Sequence, residues 1–212
     1  MLESDGVRWA VDLGPDSYDL PGYFAASRWS YFRLNNRSHN TVTPGDALQD
    51  PRAVAPIVAF SGSAPRPFAV ADLTAAYPGA ARRILRGVAV PDRSRVLVQD
   101  EFTALSPGTP VRWAMVTAAA VSISPDGRSA VLSQGGRRLR AQVLEPAGPR
   151  LRIQPAAPPT PSENPNAGDS VLSLEALPGG PGDLRIAVVF TPLGGRWPAG
   201  PAPAVTAIAD WR

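Results

Sequence analysis

The chain contains one histidine, His39. It lies in Arg28-Trp-Ser-Tyr-Phe-Arg-Leu-Asn-Asn-Arg-Ser-His-Asn-Thr-Val42, among two nearby amides (Asn36, Asn40), two arginines (Arg33, Arg37) and an aromatic pair (Tyr31, Phe32). An imidazole is the side chain whose charge changes most readily near neutral pH, so it can move a proton to or from a substrate. Asn36 and Asn40 can orient a polar ligand or fix the imidazole tautomer, and Arg33 can grip a carboxylate with two parallel N–H bonds. Together these groups suit binding and deprotonation of an anionic sugar. A lone histidine is nonetheless more often structural. Asn35-Asn36 also reads as a turn, and Arg37 as a solvated surface charge.

Other chemistries find less support. The absence of cysteine excludes thiolate metal sites and disulfides. With a single histidine, a metal ion would depend on carboxylates, and Asp46, Asp50 and Asp72 follow no calcium-loop spacing. No metal site or cofactor is expected. There is no Gly-x-Ser-x-Gly elbow, and Ser38 and His39, read as strand neighbours, point to opposite faces. A phosphate-cradling loop needs a lysine, and all 21 basic residues are arginine. Asp100-Glu101 offers two adjacent carboxylates, but the end of the apolar strand Val96-Leu-Val98 would place them in solvent.

The pI near 9.9 suggests nucleic acid. However, it reflects a net charge of only +3 in a chain whose bases never titrate. The arginines are scattered, with no run of five like charges, so neither nucleic acid nor membrane is an expected partner. No apolar run approaches the ~20 residues of a membrane span, and the acidic start, Met1-Leu-Glu-Ser-Asp-Gly6, is no export signal.

The elements that must position these residues are strands. Among 212 residues there are 25 prolines and 19 glycines, which break helices and mark turns. Strands are expected at Val7–Leu13, Arg28–Leu34, His39–Thr43, Pro56–Phe60, Phe68–Leu73, Arg82–Val90, Ser94–Phe102, Val111–Ala118, Ala120–Ser124, Ser129–Ser133, Arg137–Leu144, Leu151–Ile153, Val171–Leu177 and Leu184–Thr191. Pro91-Asp92-Arg93, Asp126-Gly127 and Gly135-Gly136 are hairpin turns. In Arg138–Val143, Leu139, Ala141 and Val143 alternate with polar residues, as on a sheet with one solvated face. Asp72–Tyr77 allows one helical turn. Pro155–Pro165 reads as an extended surface loop. Trp9 and Trp29 read as core residues, whereas Tyr23 and Phe24, in the turn Leu20-Pro-Gly-Tyr-Phe24, can be core or sugar-stacking rings. The fold class is therefore all-β: an antiparallel β-sandwich of roughly a dozen short strands. It spans residues 1–195 in one domain, and a Gly/Pro/Ala-rich tail, 196–212, is expected to fray.

An ordered series of motifs now resembles a known family. Trp9-Ala-Val-Asp-Leu-Gly14, Tyr18-Asp-Leu-Pro-Gly-Tyr-Phe24, Arg28-Trp-Ser-Tyr-Phe-Arg33 and His39-Asn-Thr-Val42 are similar, in order and spacing, to the C-terminal domain of heparinase II/III polysaccharide lyases. Gln49-Asp50, Ala55-Pro-Ile57, Asp72-Leu-Thr74 with Tyr77, Arg83 with Gly87-Val88, Asp100-Glu101 and Val188-Val-Phe-Thr-Pro192 continue the series, to about Gly195. The resemblance implies β-elimination on a uronate-containing polysaccharide. The site would lie between an N-terminal α/α toroid and this sandwich, so the implied partners are an anionic polysaccharide and that toroid.

His39 matches the histidine that the sandwich contributes to catalysis, and Asn40 the residue beside it. Arg33, Asn36, Asn40 and Tyr23 are candidates for substrate binding. The family's principal tyrosine and its other histidine or asparagine belong to the toroid, which these residues do not include. Metal-binding members carry a second histidine two positions after the matched one. Thr41 stands there, so their zinc is not expected. Members also have sandwich strands before the segment matching Trp9, which begins eight residues after Met1. A fragment lacking its first strands, with an unpaired sheet edge and no activity alone, is the expectation. Members are usually exported. The competing expectation is a non-catalytic carbohydrate-binding or structural sandwich.

Overall fold

The computed structural model describes residues 1–63, 66–92, 94–180, 182–194 and 200–211. Two antiparallel sheets face each other. The larger runs β4 (Ile57–Ser61), β5 (Phe68–Asp72), β6 (Arg83–Ala89), β7 (Val96–Thr103), β14 (Leu184–Leu193), β11 (Arg137–Glu145), β10 (Ser129–Gln134), β9 (Ala120–Ile123). The smaller runs β12 (Arg152–Pro155), β13 (Ser170–Ala176), β8 (Val111–Thr117), β3 (Val42–Pro44). A separate hairpin joins β1 (Leu2–Ser4) to β2 (Val7–Ala10). This is the expected all-β sandwich.

Alternation along the strands builds the core. Ile84 on β6, Val98 and Phe102 on β7, Ile186, Val188 and Phe190 on β14, and Leu139, Ala141 and Val143 on β11 point inward from the large sheet. They meet Val111, Trp113 and Met115 of β8 and Leu172, Leu174 and Ala176 of β13, in one cluster that also holds Trp9. Such side chains, fully buried, stabilise by roughly 1.5–3 kcal/mol each before chain entropy is counted. Between β10 and β11, Gly135 and Gly136 both have positive φ (56° and 71°), as a two-residue hairpin requires.

The run Ile186–Phe190 is buried without alternation because the outer face of β14 is covered as well. The cover is residues 200–211. Val205 and Trp211 pack on Leu97, Ala187 and Val189, and Ile208 packs on Val70 and Leu85. Gln99 Nε2 donates to Thr206 O (2.7 Å), and the Ile208 amide donates to Glu101 Oε1 (3.0 Å). A Cβ at Gly87 would lie 2.5 Å from Trp211 Cζ3, so Gly87 leaves the space that the indole fills. The fraying expected of the tail 196–212 is thus corrected for residues 200–211: apolar side chains in that segment match an apolar outer sheet face. Residues 196–199 and 212 of the expected tail, residue 195 at the expected end of the sandwich, and Arg93 and Pro181 in expected turns lie outside the described residues.

Three further expectations are corrected. Arg28–Leu34 is not a strand. Ala26–Ser30, Phe32–Leu34 and Asn36–Ser38 are consecutive 3-10 turns, with bonds such as Tyr31 N to Arg28 O (3.2 Å) and Leu34 N to Tyr31 O (3.0 Å). The cause is Asn35. Its Nδ2 donates to Ser30 O and Tyr31 O, and its Oδ1 accepts from Arg37 N, which offers the backbone a local alternative to a sheet ladder. Trp29 consequently lies on the surface, 39% exposed, instead of in the core. Asp100 and Glu101 are not at a solvated strand end either, because β7 continues to Thr103. Asp100 faces inward with no exposure, and Glu101 faces outward and pairs with Arg185 at 2.8 Å.

Tyr77, which follows the single helical turn Thr74–Ala76, is buried and donates its hydroxyl to Val42 O. Burial pushes its phenol from the ordinary 10.0 up to about 12. The fold therefore favours the neutral ring. That contribution is complete below pH 10 and is lost as pH rises towards 12. In an alkaline absorbance titration, Tyr77 should ionise as a late component, together with unfolding. Tyr77→Phe should delete that late component.

Candidate functional site

His39 follows the turn Asn36–Ser38 in extended conformation (φ −102°, ψ 161°). Asn36 fixes the turn from within. Its side chain is buried, with Nδ2 donating to Thr43 Oγ1 (2.9 Å) and Ala47 O (3.1 Å), and Oδ1 accepting from the Gln49 amide (3.0 Å). Ser38, expected to lie along a strand, ends this helical turn with its hydroxyl buried.

The imidazole is held by Asp12. His39 Nδ1 lies 3.1 Å from Asp12 Oδ2, and the other oxygen of Asp12 accepts from the Gly14 amide (2.9 Å). The two side chains are 36% and 47% exposed, so solvent and a ligand can reach them. A carboxylate on Nδ1 selects the tautomer protonated there and leaves the Nε2 lone pair outward, the usual division between an orienting acid and a working imidazole. His39 lies at a cleft of about 320 Å³, with Trp29, Leu34, Asn36, Gln49 and Asp50 among its lining residues. The Arg52 amide, bonded to Asp50, holds that carboxyl below its ordinary value. Close by, Arg112 Nη1 donates to Arg37 O (3.2 Å). Burial, and then the neighbouring Arg37 charge, lower the pKa of Arg112. Two cations are thus crowded beside the turn that carries His39.

Of the five candidates, the cleft brings together only His39 and Asn36. Arg33 is engaged elsewhere. Its Nε donates to Asn166 Oδ1 (2.6 Å) and its Nη1 to Pro15 O (2.9 Å), which ties the Pro-rich loop to the 3-10 turns. Glu163 of the same loop accepts from the Phe32 amide (2.5 Å). Tyr23 is buried beneath Tyr18 and Phe24.

Asn40 joins two strands. Val11 N donates to Val116 O (3.0 Å), and the reciprocal bond runs through the Asn40 amide: Val116 N to Oδ1 and Nδ2 to Val11 O, both 2.8 Å. Next to it, Ala114 N bonds to Thr41 O (3.1 Å), and β3 pairs with β8 from Val42 onward. Asn40 therefore marks the place where the partner of β8 changes from the chain after His39 to the chain before Asp12. Its carbonyl accepts from Arg86 Nη1. Arg86 in turn makes a two-pronged pair with Asp100, Nε to Oδ1 at 2.7 Å and Nη2 to Oδ2 at 2.9 Å. Burial opposes the guanidinium charge, but Asp100 outweighs it and raises Arg86 above its ordinary value. An unbroken path of polar contacts thus runs from the sandwich interior to the backbone beside His39.

The sequence reading missed Asp12, Arg86 and Asp100 as partners in this arrangement. Asp12 was visible only inside the Trp9–Gly14 motif, 27 residues from its partner. The zinc attached by resemblance to a histidine at position 41 does not fit these residues. Thr41 offers a backbone amide to His39 O (2.9 Å), and among the described residues no three His, Cys, Asp or Glu side chains converge.

A family model described as "Heparinase II/III-like, C-terminal" matches residues 1–174. No curated protein matches the chain. Among solved structures, a heparan sulfate lyase HepC mutant from Pedobacter heparinus is similar with TM-score 0.68 at 14% identity, over 91% of this chain and 30% of that one. A heparinase III structure is similar with TM-score 0.61 at 11% identity, over 81% of this chain and 26% of that one. At such identities the likeness is one of fold, and the chain spans 26–30% of the length of these two structures.

Two outcomes follow from the geometry. Asp100→Ala leaves Arg86 buried without its counter-charge and should lower the unfolding free energy by about 3–5 kcal/mol in urea titration. Because the chain has one imidazole, long-range 1H–15N spectra contain one histidine spin system. They should show the Nδ1–H tautomer for neutral His39, and Asp12→Ala should abolish that preference with the fold intact.

Proposed function

Because the chain belongs to the Heparinase II/III-like C-terminal family, we propose that it is the sandwich portion of a polysaccharide lyase acting on a uronate-containing polymer by β-elimination. The observation that carries this reading is the half-exposed His39, set on Asp12 at the mouth of a cleft. In β-elimination a base removes the proton at C5 of the uronate. The electron pair left behind forms the C4=C5 double bond, the C4–O bond breaks, and the departing oxygen takes a proton. The C5 proton is weakly acidic until the neighbouring carboxylate is neutralised, so cations or amides opposite it supply much of the catalysis.

His39 moves the proton at Nε2. Asp12 holds the ring through Nδ1. The crowded Arg37 and Arg112 bias this surface towards a polyanion. Arg33, Asn36 and Asn40 act through structure: they hold the turn, the loop and the strand junction from which His39 projects. The remaining groups, a tyrosine and a histidine or asparagine by resemblance, would come from an α/α toroid packed against the cleft. A second reading, a carbohydrate-binding module without catalysis, is favoured by one observation: Tyr18 and Phe24 present rings to solvent.

The two readings are separated by the ultraviolet absorbance of unsaturated uronate. This chain alone should give no signal on heparan sulfate or alginate. Combined with a toroid of the same family it should give one, reduced about 10²–10⁴-fold by His39→Ala. Turnover by the chain alone would defeat the split-site reading. A combined preparation indifferent to His39→Ala would leave the binding-module reading standing.

A further inference from the structure

Beside the His39 cleft, the turn Leu20–Phe24 carries a cluster of rings that the mechanism above does not use. Tyr23 is 3% exposed, while Tyr18 and Phe24, on either side of it, are 63% and 77% exposed. The three ring centroids form a triangle: 4.9 Å from Tyr18 to Tyr23, 5.1 Å from Tyr23 to Phe24, and 5.6 Å from Tyr18 to Phe24. Arg28 lies over Tyr23 at 4.9 Å and over Trp29 at 4.8 Å. Its Nε is buried and has no hydrogen-bond partner among the described residues. Trp29 in turn lines the cleft of His39. The series Phe24 and Tyr18, Tyr23, Arg28, Trp29, His39 is continuous.

The turn is well braced. Tyr23 N bonds to Leu20 O (3.0 Å), Ala25 N to Gly22 O (2.8 Å), Ser27 Oγ to Gly22 O (3.1 Å) and Tyr31 Oη to Pro21 O (2.5 Å). Gly22 has φ +68° and leaves the space that Ser27 occupies. Bracing of this kind fixes two large apolar rings in water, where they lose the benefit of burial, so the rings are set for a partner. The face of an aromatic ring receives the apolar C–H face of a pyranose, and a guanidinium between the rings adds attraction for uronate or sulfate. On the apolar edge strand β4 Ile57, Val58 and Phe60 are exposed, and among the described residues no guanidinium stacks on Phe60.

We propose that Tyr18, Phe24, Arg28 and Trp29 form a stacking platform that binds an anionic polysaccharide and leads it towards His39. Tyr23 is then the buried support of the platform rather than a sugar contact. This rests on the polysaccharide reading given above, but it concerns binding and not elimination.

The test is isothermal titration of the whole chain with heparan sulfate and alginate oligosaccharides, with neutral dextran as reference. Both anionic glycans should bind and dextran much more weakly. Tyr18→Ala and Phe24→Ala should each weaken binding about tenfold, the size of one lost ring contact. Both rings are exposed, so these variants should keep the fold, and Phe60→Ala, on β4, should bind as the native chain does. Arg28→Gln should narrow the gap between anionic glycans and dextran. Absence of glycan binding, or native affinity in both ring variants, would overturn the platform and turn the rings into a protein-docking surface. Binding that survives while the toroid-completed protein eliminates nothing would remove the lyase reading and leave the platform.

Discussion

The buried pair of Arg86 and Asp100 is the constraint on which the rest of this structure depends. A fully buried carboxylate is costly, and it is tolerated here because two guanidinium N–H bonds meet its two oxygens. The third bond of Arg86 leaves the pair and reaches Asn40 O. An inward-facing charge in the large sheet therefore fixes a backbone carbonyl at the edge of the small one. Apolar side chains at these positions would pack the sheets as well or better, but they could not specify which residue lies at the crossing.

This arrangement changes how the polar residues around His39 are understood. Arg33, Asn36 and Asn40 look like a binding site when read in a row. In space they point in three directions, to the Pro-rich loop, into the turn and across the strand junction. Buried amides and guanidinia need partners, and the nearest unsatisfied groups here belong to the chain itself. Under the proposed function, what remains for chemistry is one imidazole, one carboxylate, a cleft and a surface of arginine and aromatic rings.

Much of the fold was legible because it rests on period-two patterning. From Phe68 to Thr191, strands fall where apolar alternation and Gly/Pro punctuation place them, and Gly135-Gly136 turns as its residue types require. Legibility failed where side chains act on the backbone or across long separations. Asn35 converts a ring-and-polar alternation into 3-10 turns, and nothing local announces that. Asp100 resembles a strand-end acid because its partner is on another strand. The segment 200–211 reads as a tail because its value lies in the sheet face it covers. His39 was legible as a candidate, whereas Asp12, which orients it, was not: pairing across the fold leaves no local pattern.

The crossing at Asn40 bears on how this segment can change over time. Its side-chain amide completes a hydrogen-bond exchange that two strands would otherwise make directly, so donor and acceptor must both arrive at one spot. Asp12 follows Val11 by one position, and His39 precedes Asn40 by one. The catalytic candidates are thus indexed to the junction from both sides. A single residue inserted between Val11 and Asp12, or between His39 and Asn40, would shift one member of the dyad past the other while the sandwich stayed whole. Length variation should therefore collect in the outer loops, and this short stretch should tolerate substitution far better than insertion or deletion.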